Sequence, residues 1–397
     1  MLALQFDQDS QEMNNRKQTV LFITHYPGMY GANLSMCRLI VELRTTHGIL
    51  PIVLLSSRGE ICDFLEQNEI QYYISHFYWW VNAEKGIFQY VLNYRKQVRN
   101  WLGANKMVTL ISKEKIDLIY SNSITINIGV LLSRKLKCPH IWHIRETLQA
   151  YGLKFSIGRF FSKRMLKHGA DRYIVISDFL LRNYHDILPL DKVTRIYNGL
   201  VTAVETTTLK SRTQMLNIAI VGILSEQKNQ MDALQALTIL KERGIHSIKF
   251  HFIGGNKEVY FREITDYISE NRLEDLVVFH GHQPLVAELV NTMDIGLVCA
   301  RDEAFGRVTI EYMLHGMPVI ASKSGANEEL IQDGLNGLLY ELNNASELAQ
   351  RIEYLIENPV KRSSMGVYAL EYAKRNFSSL QNTELIYAIM EELVTSR

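Results

Sequence analysis

The sequence predicts an α/β protein of two successive Rossmann-like domains, each a parallel sheet with crossover helices. Three observations point there: chain length, short β-branched runs alternating with helical patterns, and a restart of that alternation near the midpoint. At 397 residues the chain exceeds one ordinary hydrophobic core, and two domains of roughly 150–200 residues accommodate it.

The elements follow in order. Thr19–Thr24 reads as a first buried strand, followed by the loop Tyr26-Pro-Gly-Met-Tyr-Gly-Ala-Asn33 and a helix through Leu34–Leu43. Pro51–Leu55, Asp117–Ser121, His140–His143, Tyr173–Ser177 and Val193–Tyr197 are further strands, the last ending at the turn signal Asn198-Gly199. From Val204 to Thr213 the chain turns polar and Thr-rich and loses periodicity. The pattern then restarts with Ile218–Gly222, a helix from about Gln230 to Arg243, and strands at Lys249–Ile253, Leu276–Phe279, Ile295–Val298, Pro318–Ala321 and Gly337–Tyr340. From Ala345 onward, apolar residues such as Leu348, Ile352 and Leu355 recur at helical spacing. The expected organisation is a polar tail over 1–18, a first domain over 19–204, a linker over 205–213 and a second domain over 214–397. The last helix is free to return to the first domain.

Composition narrows the class. Hydrophobic residues make up 47% and charged residues 21%, as in a soluble globular protein. Apolar stretches such as Val20–Ile23 and Ile218–Leu224 fall short of the ~20 residues a membrane span needs. The N-terminus is polar and shows no secretory pattern, so a cytoplasmic protein is expected. Cys37, Cys62, Cys138 and Cys299 are scattered without CxxC, and the 12 histidines show no HExxH spacing. Neither a disulfide framework, nor a zinc site, nor any other metal is expected. The letters Asp7-Gln-Asp9 imitate a DxD metal motif, but no strand precedes them.

Charge is unevenly divided. Residues 1–204 hold 25 Lys/Arg against 16 Asp/Glu, and residues 205–397 hold 18 against 26. A basic half joined to an acidic half fits two different partners, two faces attracted across a cleft, or ordinary variation between domains. No zinc finger, RNP motif or dense Lys/Arg tract accompanies the basic half, so nucleic acid is not an expected partner.

Ligands of open α/β sheets bind beyond the carboxyl ends of the strands, and two such sheets facing each other leave a cleft. The most informative segment lies there: Glu303-Ala-Phe305-Gly306-Arg307-Val308-Thr-Ile-Glu311, followed by Gly316-Met-Pro318-Val-Ile-Ala321. The two carboxylates are eight residues apart, close to two helical turns if a helix begins near Phe305. Gly306 admits close backbone approach, and the N–H groups of Gly306, Arg307 and Val308 at a helix start suit a diphosphate. Glu311, deeper in the helix, can accept paired hydroxyls such as those of a ribose. Two capped surface glutamates would be the bland alternative.

In this segment the sequence resembles the retaining glycosyltransferases of family 4, which have the GT-B fold: two Rossmann-like domains facing across a cleft, here with a C-terminal helical segment. The family reads E-x-F-G-x-x-x-x-E, then G-x-P-V-I-A and a second Gly-rich turn. The match continues through Ser324-Gly325-Ala-Asn-Glu-Glu329 to Gly337. The resemblance implies that Glu303 contacts a donor sugar and Glu311 the ribose. The donor is then a nucleotide-diphosphate sugar, UDP- or GDP-linked, with no further cofactor.

Val221-Gly222-Ile223-Leu-Ser-Glu-Gln-Lys228 follows the first strand of the second domain. It looks like the family's G-R-L-x-x-x-K pattern, whose cations meet the leaving diphosphate. Lys228 is kept, but Ile223 stands where the arginine is expected; Arg301 or Arg307 is a candidate substitute. In the first domain, Gly31-Ala-Asn33 matches the family's Gly-rich loop with one glycine of the usual pair missing. His140-Ile-Trp-His143-Ile-Arg145-Glu146 gathers a histidine, an arginine and a carboxylate past a strand. The resemblance and strand alternation favour His143 toward the sugar or reacting hydroxyl, His140 as structural, and Arg145 and Glu146 toward loop or acceptor. Leu153–Lys167 interleaves five cations with apolar residues, and reads either as a core helix with a solvated basic face or as a helix lying on an anionic membrane. Phe77–Trp80 adds aromatic residues to the same domain.

The expectation is a transferase moving a sugar to a hydroxyl acceptor, a glycan or lipid-linked glycan of the cell surface, with Lys228, Glu303 and His143 at the reacting centre. Such an enzyme would be cytoplasmic or peripheral at the inner membrane face. A sugar-nucleotide epimerase or a phosphorylase on the same scaffold, or a non-catalytic sugar-nucleotide-binding module, is the alternative.

Overall fold

Runs of β-branched and aliphatic residues without polar interruption can be buried on both faces, which only strands central to a parallel sheet require. A computed structural model describes residues 17–83, 87–200, 215–283 and 286–396. Most of the 1–18 tail, the Asp7–Asp9 letters and the 205–213 linker lie outside the described residues. The chain clusters into two compact units. The first comprises the chain up to Ile176, Leu180–Ile196 and the stretch from Ser379; the second comprises Ser177–Phe179 and Tyr197–Ser378.

The first unit runs β1 (Thr19–Ile23), α1 (Gly31–His47), β2 (Leu50–Leu55), α2 (Glu60–Gln67), β3 (Gln71–Ile74), β4 (Val81–Asn82), α3 (Ile87–Leu110), β5 (Leu118–Ser121), α4 (Ile128–Leu136), β6 (His140–Ile144), β7 (Lys154–Phe155), α5 (Arg159–His168), β8 (Arg172–Val175), α6 (Asp178–Tyr184, whose first two residues cluster with the second unit) and β9 (Val193–Arg195). Its parallel sheet has the order β3-β2-β1-β5-β6-β8-β9. The central strands β1, β5 and β6 are buried throughout, whereas the edge strands carry polar residues. Alternation along β1 divides the core. Val20 and Phe22 face α1, while Leu21 and Ile23 pack with Ala104 and Met107 of α3 and Leu132 of α4. Helix α1 stops at Gly48, whose left-handed backbone returns an N–H to the Leu43 carbonyl.

The second unit runs β10 (Leu216–Val221), α7 (Gln230–Glu242), β11 (Ile248–Ile253), α8 (Glu258–Glu270), β12 (Val277–Gly281), α9 (Val286–Val290), β13 (Ile295–Val298), α10 (Arg307–Leu314), β14 (Val319–Ser322), α11 (Asn327–Leu330), β15 (Gly337–Tyr340), α12 (Ala345–Glu357) and α13 (Pro359–Asn376). Its parallel sheet has the order β12-β11-β10-β13-β14-β15. Gly296 lies flat beneath the ring of Tyr312, where an added Cβ would come within 2.2 Å of the ring. Tyr197–Leu200 clusters with this unit, and Leu200 bridges Ser378.

The C-terminal helical pattern breaks at Asn358-Pro359, where proline starts α13 at its first turn. The final helix, α14 (Ser379–Thr395), belongs to the first unit. Its Ile386, Met390 and Leu393 join the α1 core, His47 stacks on Tyr387 at 3.7 Å, and Thr383 donates to Glu42 at 2.5 Å.

Candidate functional site

Each sheet reverses its strand order once, between β1 and β5 in the first unit and between β10 and β13 in the second. At such a reversal the adjacent connections run to opposite faces and open a crevice at the strands' carboxyl ends. In the second unit that crevice is a small pocket lined by Val221, Lys228, Cys299, Glu303, Gly306 and Thr309, among others.

Lys228 follows β10 and Glu303 follows β13, and the reversal brings them together, with Lys228 Nζ donating to Glu303 Oε2 at 2.6 Å. The other oxygen, Oε1, accepts from the Gly306 N–H at 3.2 Å. Burial alone would raise the Glu303 carboxyl, but Lys228 and the backbone N–H groups outweigh it and hold the group below the usual carboxylate range. Glu303 is therefore an ionised acceptor rather than an acid. Gly222 brings the chain close against Lys228, with φ 144° and an ideal Cβ 3.8 Å from the lysine stem.

The loop carrying Glu303 is clamped by the turn after β14. Ser324 Oγ accepts from the Asp302 N–H at 2.8 Å, and the Ala326 N–H donates to the Glu303 carbonyl at 2.7 Å. Gly325 has φ 65°, and a Cβ there would lie 2.3 Å from the Glu303 backbone N and O. The run Ser324-Gly325-Ala326 is thus the mould for the Glu303 backbone, a positioning role that the sequence pattern alone did not assign. Ser177 Oγ adds a bond to the Ala304 carbonyl at 2.6 Å, and Glu329 accepts from the N–H groups of Asp178 and Phe179.

Helix α10 begins at Arg307 with Gly306 as left-handed cap, φ 82°. The Gly306 N–H is already engaged by Glu303, so the anion-facing amides available at this terminus start at Arg307 and Val308. The Phe305 ring is buried against Tyr197 and Phe377; only its backbone can serve a ligand. Arg307 Nε donates to Glu311 Oε1 at 2.8 Å, while its Nη1 is buried without a partner among the described residues. Arg301 is spent differently, its Nη2 reaching Asn343 at 2.7 Å and Asn229 at 3.2 Å. Ile223 is about half exposed at the position where the resemblance expects arginine.

In the first unit the β1–β5 reversal gathers Asn33, Asn122, Arg145, Glu146 and His143. Gly31 opens α1. Asn33 is buried and bonds Thr24, and its Nδ2 donates to the Tyr26 and Gly28 carbonyls at 2.7 Å each, so it organises the β1–α1 loop. Asn122 ties the start of α1 to β6, donating to the Ala32 carbonyl at 3.1 Å and accepting from Arg145 Nε at 2.5 Å. Glu146 bonds Ser123 and accepts from the Ile124 N–H at 3.1 Å. Burial pushes its carboxyl up to about 6, against the pull of those bonds and of Arg145.

His140 is satisfied on both ring nitrogens, by Ser121 at 2.8 Å and the Gly169 carbonyl at 2.7 Å. His143 is fully buried, its Nδ1 bonded to Tyr120 and its Nε2 without a partner among the described residues. Burial, then the Arg145 charge, depress its pKa well below the usual histidine range, so it is neutral. Among the described residues, no three His, Cys, Asp or Glu side chains form a metal-ligating group.

The chain matches known enzyme-family models. The model described as "Glycosyltransferase Family 4" matches residues 31–204, and that described as "Glycosyl transferases group 1" matches residues 208–372. An uncharacterized glycosyltransferase of Methanocaldococcus jannaschii is 30% identical over 318 residues, spanning 79% of this chain and 83% of its own length. The chain belongs to glycosyltransferase family 4. Its fold is GT-B. The crystal structure of Anabaena HepE in complex with UDP superposes on this glycosyltransferase with a TM-score of 0.79 at 21% identity, covering 95% of this chain and 100% of that one. The same Anabaena protein in complex with UDP-glucose gives 0.76 at 22% identity, covering 94% and 100%. No helix among the described residues is long and apolar enough to cross a membrane.

Proposed function

We propose that the enzyme transfers a sugar, with retained anomeric configuration, from a nucleotide-diphosphate sugar held by the second unit to a hydroxyl of a glycan or lipid-linked glycan held by the first. The carrying observation is the 2.6 Å contact between Lys228 and Glu303 at the strand-order reversal. A donor has its anionic diphosphate and its sugar hydroxyls on either side of one anomeric oxygen. A cation and an ionised carboxylate in contact are placed to take one side each.

In this reading Lys228, Gly222 and the first amides of α10 meet the diphosphate, and Glu303 accepts sugar hydroxyls. Glu311 accepts the ribose hydroxyls of a UDP or GDP moiety. The bond from the anomeric carbon to the diphosphate oxygen breaks as the acceptor oxygen bonds that carbon on the same face. The acceptor's proton passes to the departing phosphate oxygen. Developing charge on that phosphate is stabilised by Lys228 and helix amides already in place. Neutral His143, with Nε2 unengaged among the described residues, Arg145 and Glu146 serve the reacting hydroxyl from the first unit. No cofactor beyond the two substrates is required by these steps.

A thermal-shift screen of UDP- and GDP-sugars tests the donor assignment, since a ligand that binds only the folded state raises Tm. At least one nucleotide sugar should shift Tm in the wild type and less in Glu303→Ala. A screen with no shift across both nucleotides contradicts it.

A further inference from the structure

Helices α3 and α5 of the first unit carry eight Lys and Arg residues, four in each, and no Asp or Glu. They adjoin one another. Tyr90 Oη in the first turn of α3 lies 2.9 Å from where a Cβ on Gly158, the cap of α5, would sit. At the start of α4, Asn127 Nδ2 donates to Gln97 of α3 at 3.0 Å and contacts Met165 Sδ of α5 at 3.6 Å.

On α3 the buried side is Asn93, Asn100, Ala104 and Met107. The opposite side exposes Tyr94 at 60%, Trp101 at 59% and Leu102 at 59%, with Val91 and Val98 beside them. At the head of α5, Phe160 and Phe161 are 73% and 64% exposed and meet edge to face at 5.5 Å. The aromatic run Phe77–Trp80 is divided: Trp79 is 38% exposed and its carbonyl accepts from Gln97 of α3 at 2.9 Å. Phe77 and Trp80 are core residues, and Trp80 Nε1 donates to the Ile124 carbonyl at 2.6 Å.

We propose that the exposed faces of α3 and α5 form one docking surface for an anionic lipid bilayer. A helix face of aromatic and aliphatic residues flanked by lysine and arginine seats its apolar side chains at the headgroup–acyl boundary, while the cations meet lipid phosphates. Charge complementarity selects this occupant: two adjoining helices with eight cations and no carboxylate of their own suit a polyanionic sheet and not the mixed charges of another protein. Exposed Val91, Val98 and Leu102 favour hydrocarbon over nucleic acid, because base stacking uses rings alone. The inference rests on the reading of the acceptor as lipid-linked, since it brings the first unit to the surface where such an acceptor resides.

The test is co-sedimentation of the full chain with vesicles of phosphatidylcholine alone and of phosphatidylcholine with about one-third phosphatidylglycerol, whose negative surface potential attracts cations. The wild type should bind the anionic vesicles at least tenfold more strongly, and 0.5 M salt, at roughly half the Debye length of physiological buffer, should weaken that binding. Phe160→Ser/Phe161→Ser and Trp101→Ser should each lose most of it while retaining wild-type Tm and wild-type Tm shifts with nucleotide sugars. Equal binding of wild type and variants, absence of vesicle binding, or preference for a single-stranded oligonucleotide overturns the proposal. A self-associating wild type that the same substitutions render monomeric, without vesicle binding, also overturns it. The vesicle assay contains no donor, so its failure leaves the donor assignment untouched, and failure of the donor assignment leaves vesicle binding in place.

Discussion

Lys228 and Glu303, 75 residues apart in sequence, meet at 2.6 Å because their strands, β10 and β13, are neighbours in the sheet. The ion pair is partly exposed, with side-chain accessibilities of 33% and 17%, so a ligand can reach both partners. Its contribution to stability is small, about 0–1 kcal/mol for a pair open to solvent; its value lies in placing two opposite charges at one point.

Gly325 sets the Glu303 backbone. Gly325→Ala places a Cβ 2.3 Å from the Glu303 N and O and forces an L residue to φ 65°. A destabilisation of about 2–4 kcal/mol is expected from the strain and overlap together. Thermal denaturation should show the loss, and nucleotide-sugar turnover should fall in preparations that remain folded.

Arg307 is the cation best placed to stand in for the missing arginine, since Arg301 is held by Asn229 and Asn343 while one Arg307 nitrogen is buried without a partner among the described residues. Arg307→Ala should weaken UDP binding about tenfold, or about 1.4 kcal/mol, by calorimetry. Unchanged affinity removes Arg307 from the phosphate site.

Ile223 offers the converse experiment. Because it is about half exposed, Ile223→Arg fits without displacing core residues. The added charge should tighten UDP binding several-fold at low salt and less at high salt, because screening shortens its reach. A salt-independent change would place position 223 away from the diphosphate.

Much of this was legible in the sequence. The strands were visible because a doubly covered sheet needs long apolar runs, and the Glu303 segment because glycines and carboxylates recur there at fixed spacing. The clamp by Ser324 and Gly325 was hidden, since a close backbone approach leaves only a glycine with no sign of what it touches. Asn122 was hidden for a similar reason: a single asparagine after a strand has no spacing to recognise, yet it links α1 to β6. The exposed face of α3 was missed because its rings and aliphatic residues resemble core-facing helix positions, and only the fold shows which side is covered.

Buried His140 and His143 and half-buried His25 contribute to acid stability. Burial lowers His25 and His140 to about 4, and lowers His143 well below its usual value of 6.5. The unfolded chain binds these protons first, so their contribution is complete above pH 6.5 and is lost as pH falls toward 4. Glu146, raised to about 6 from 4.5, acts oppositely, its contribution being present below pH 4.5 and lost as pH rises through 6. Urea midpoints between pH 4 and 7 should fall toward acid. His140→Gln should flatten that dependence by about 1.4 kcal/mol per pH unit, the slope of one proton; an unchanged slope would show that His140 does not contribute.

The division of labour between Lys228 and Glu303 is tested most directly by calorimetric titration of UDP and UDP-glucose into wild type, Lys228→Ala and Glu303→Gln. Lys228→Ala should weaken both ligands, because both carry the diphosphate. Glu303→Gln should leave UDP nearly as tight as in the wild type, weaken UDP-glucose about tenfold, and abolish turnover. Full UDP-glucose affinity and turnover in Glu303→Gln would contradict the account.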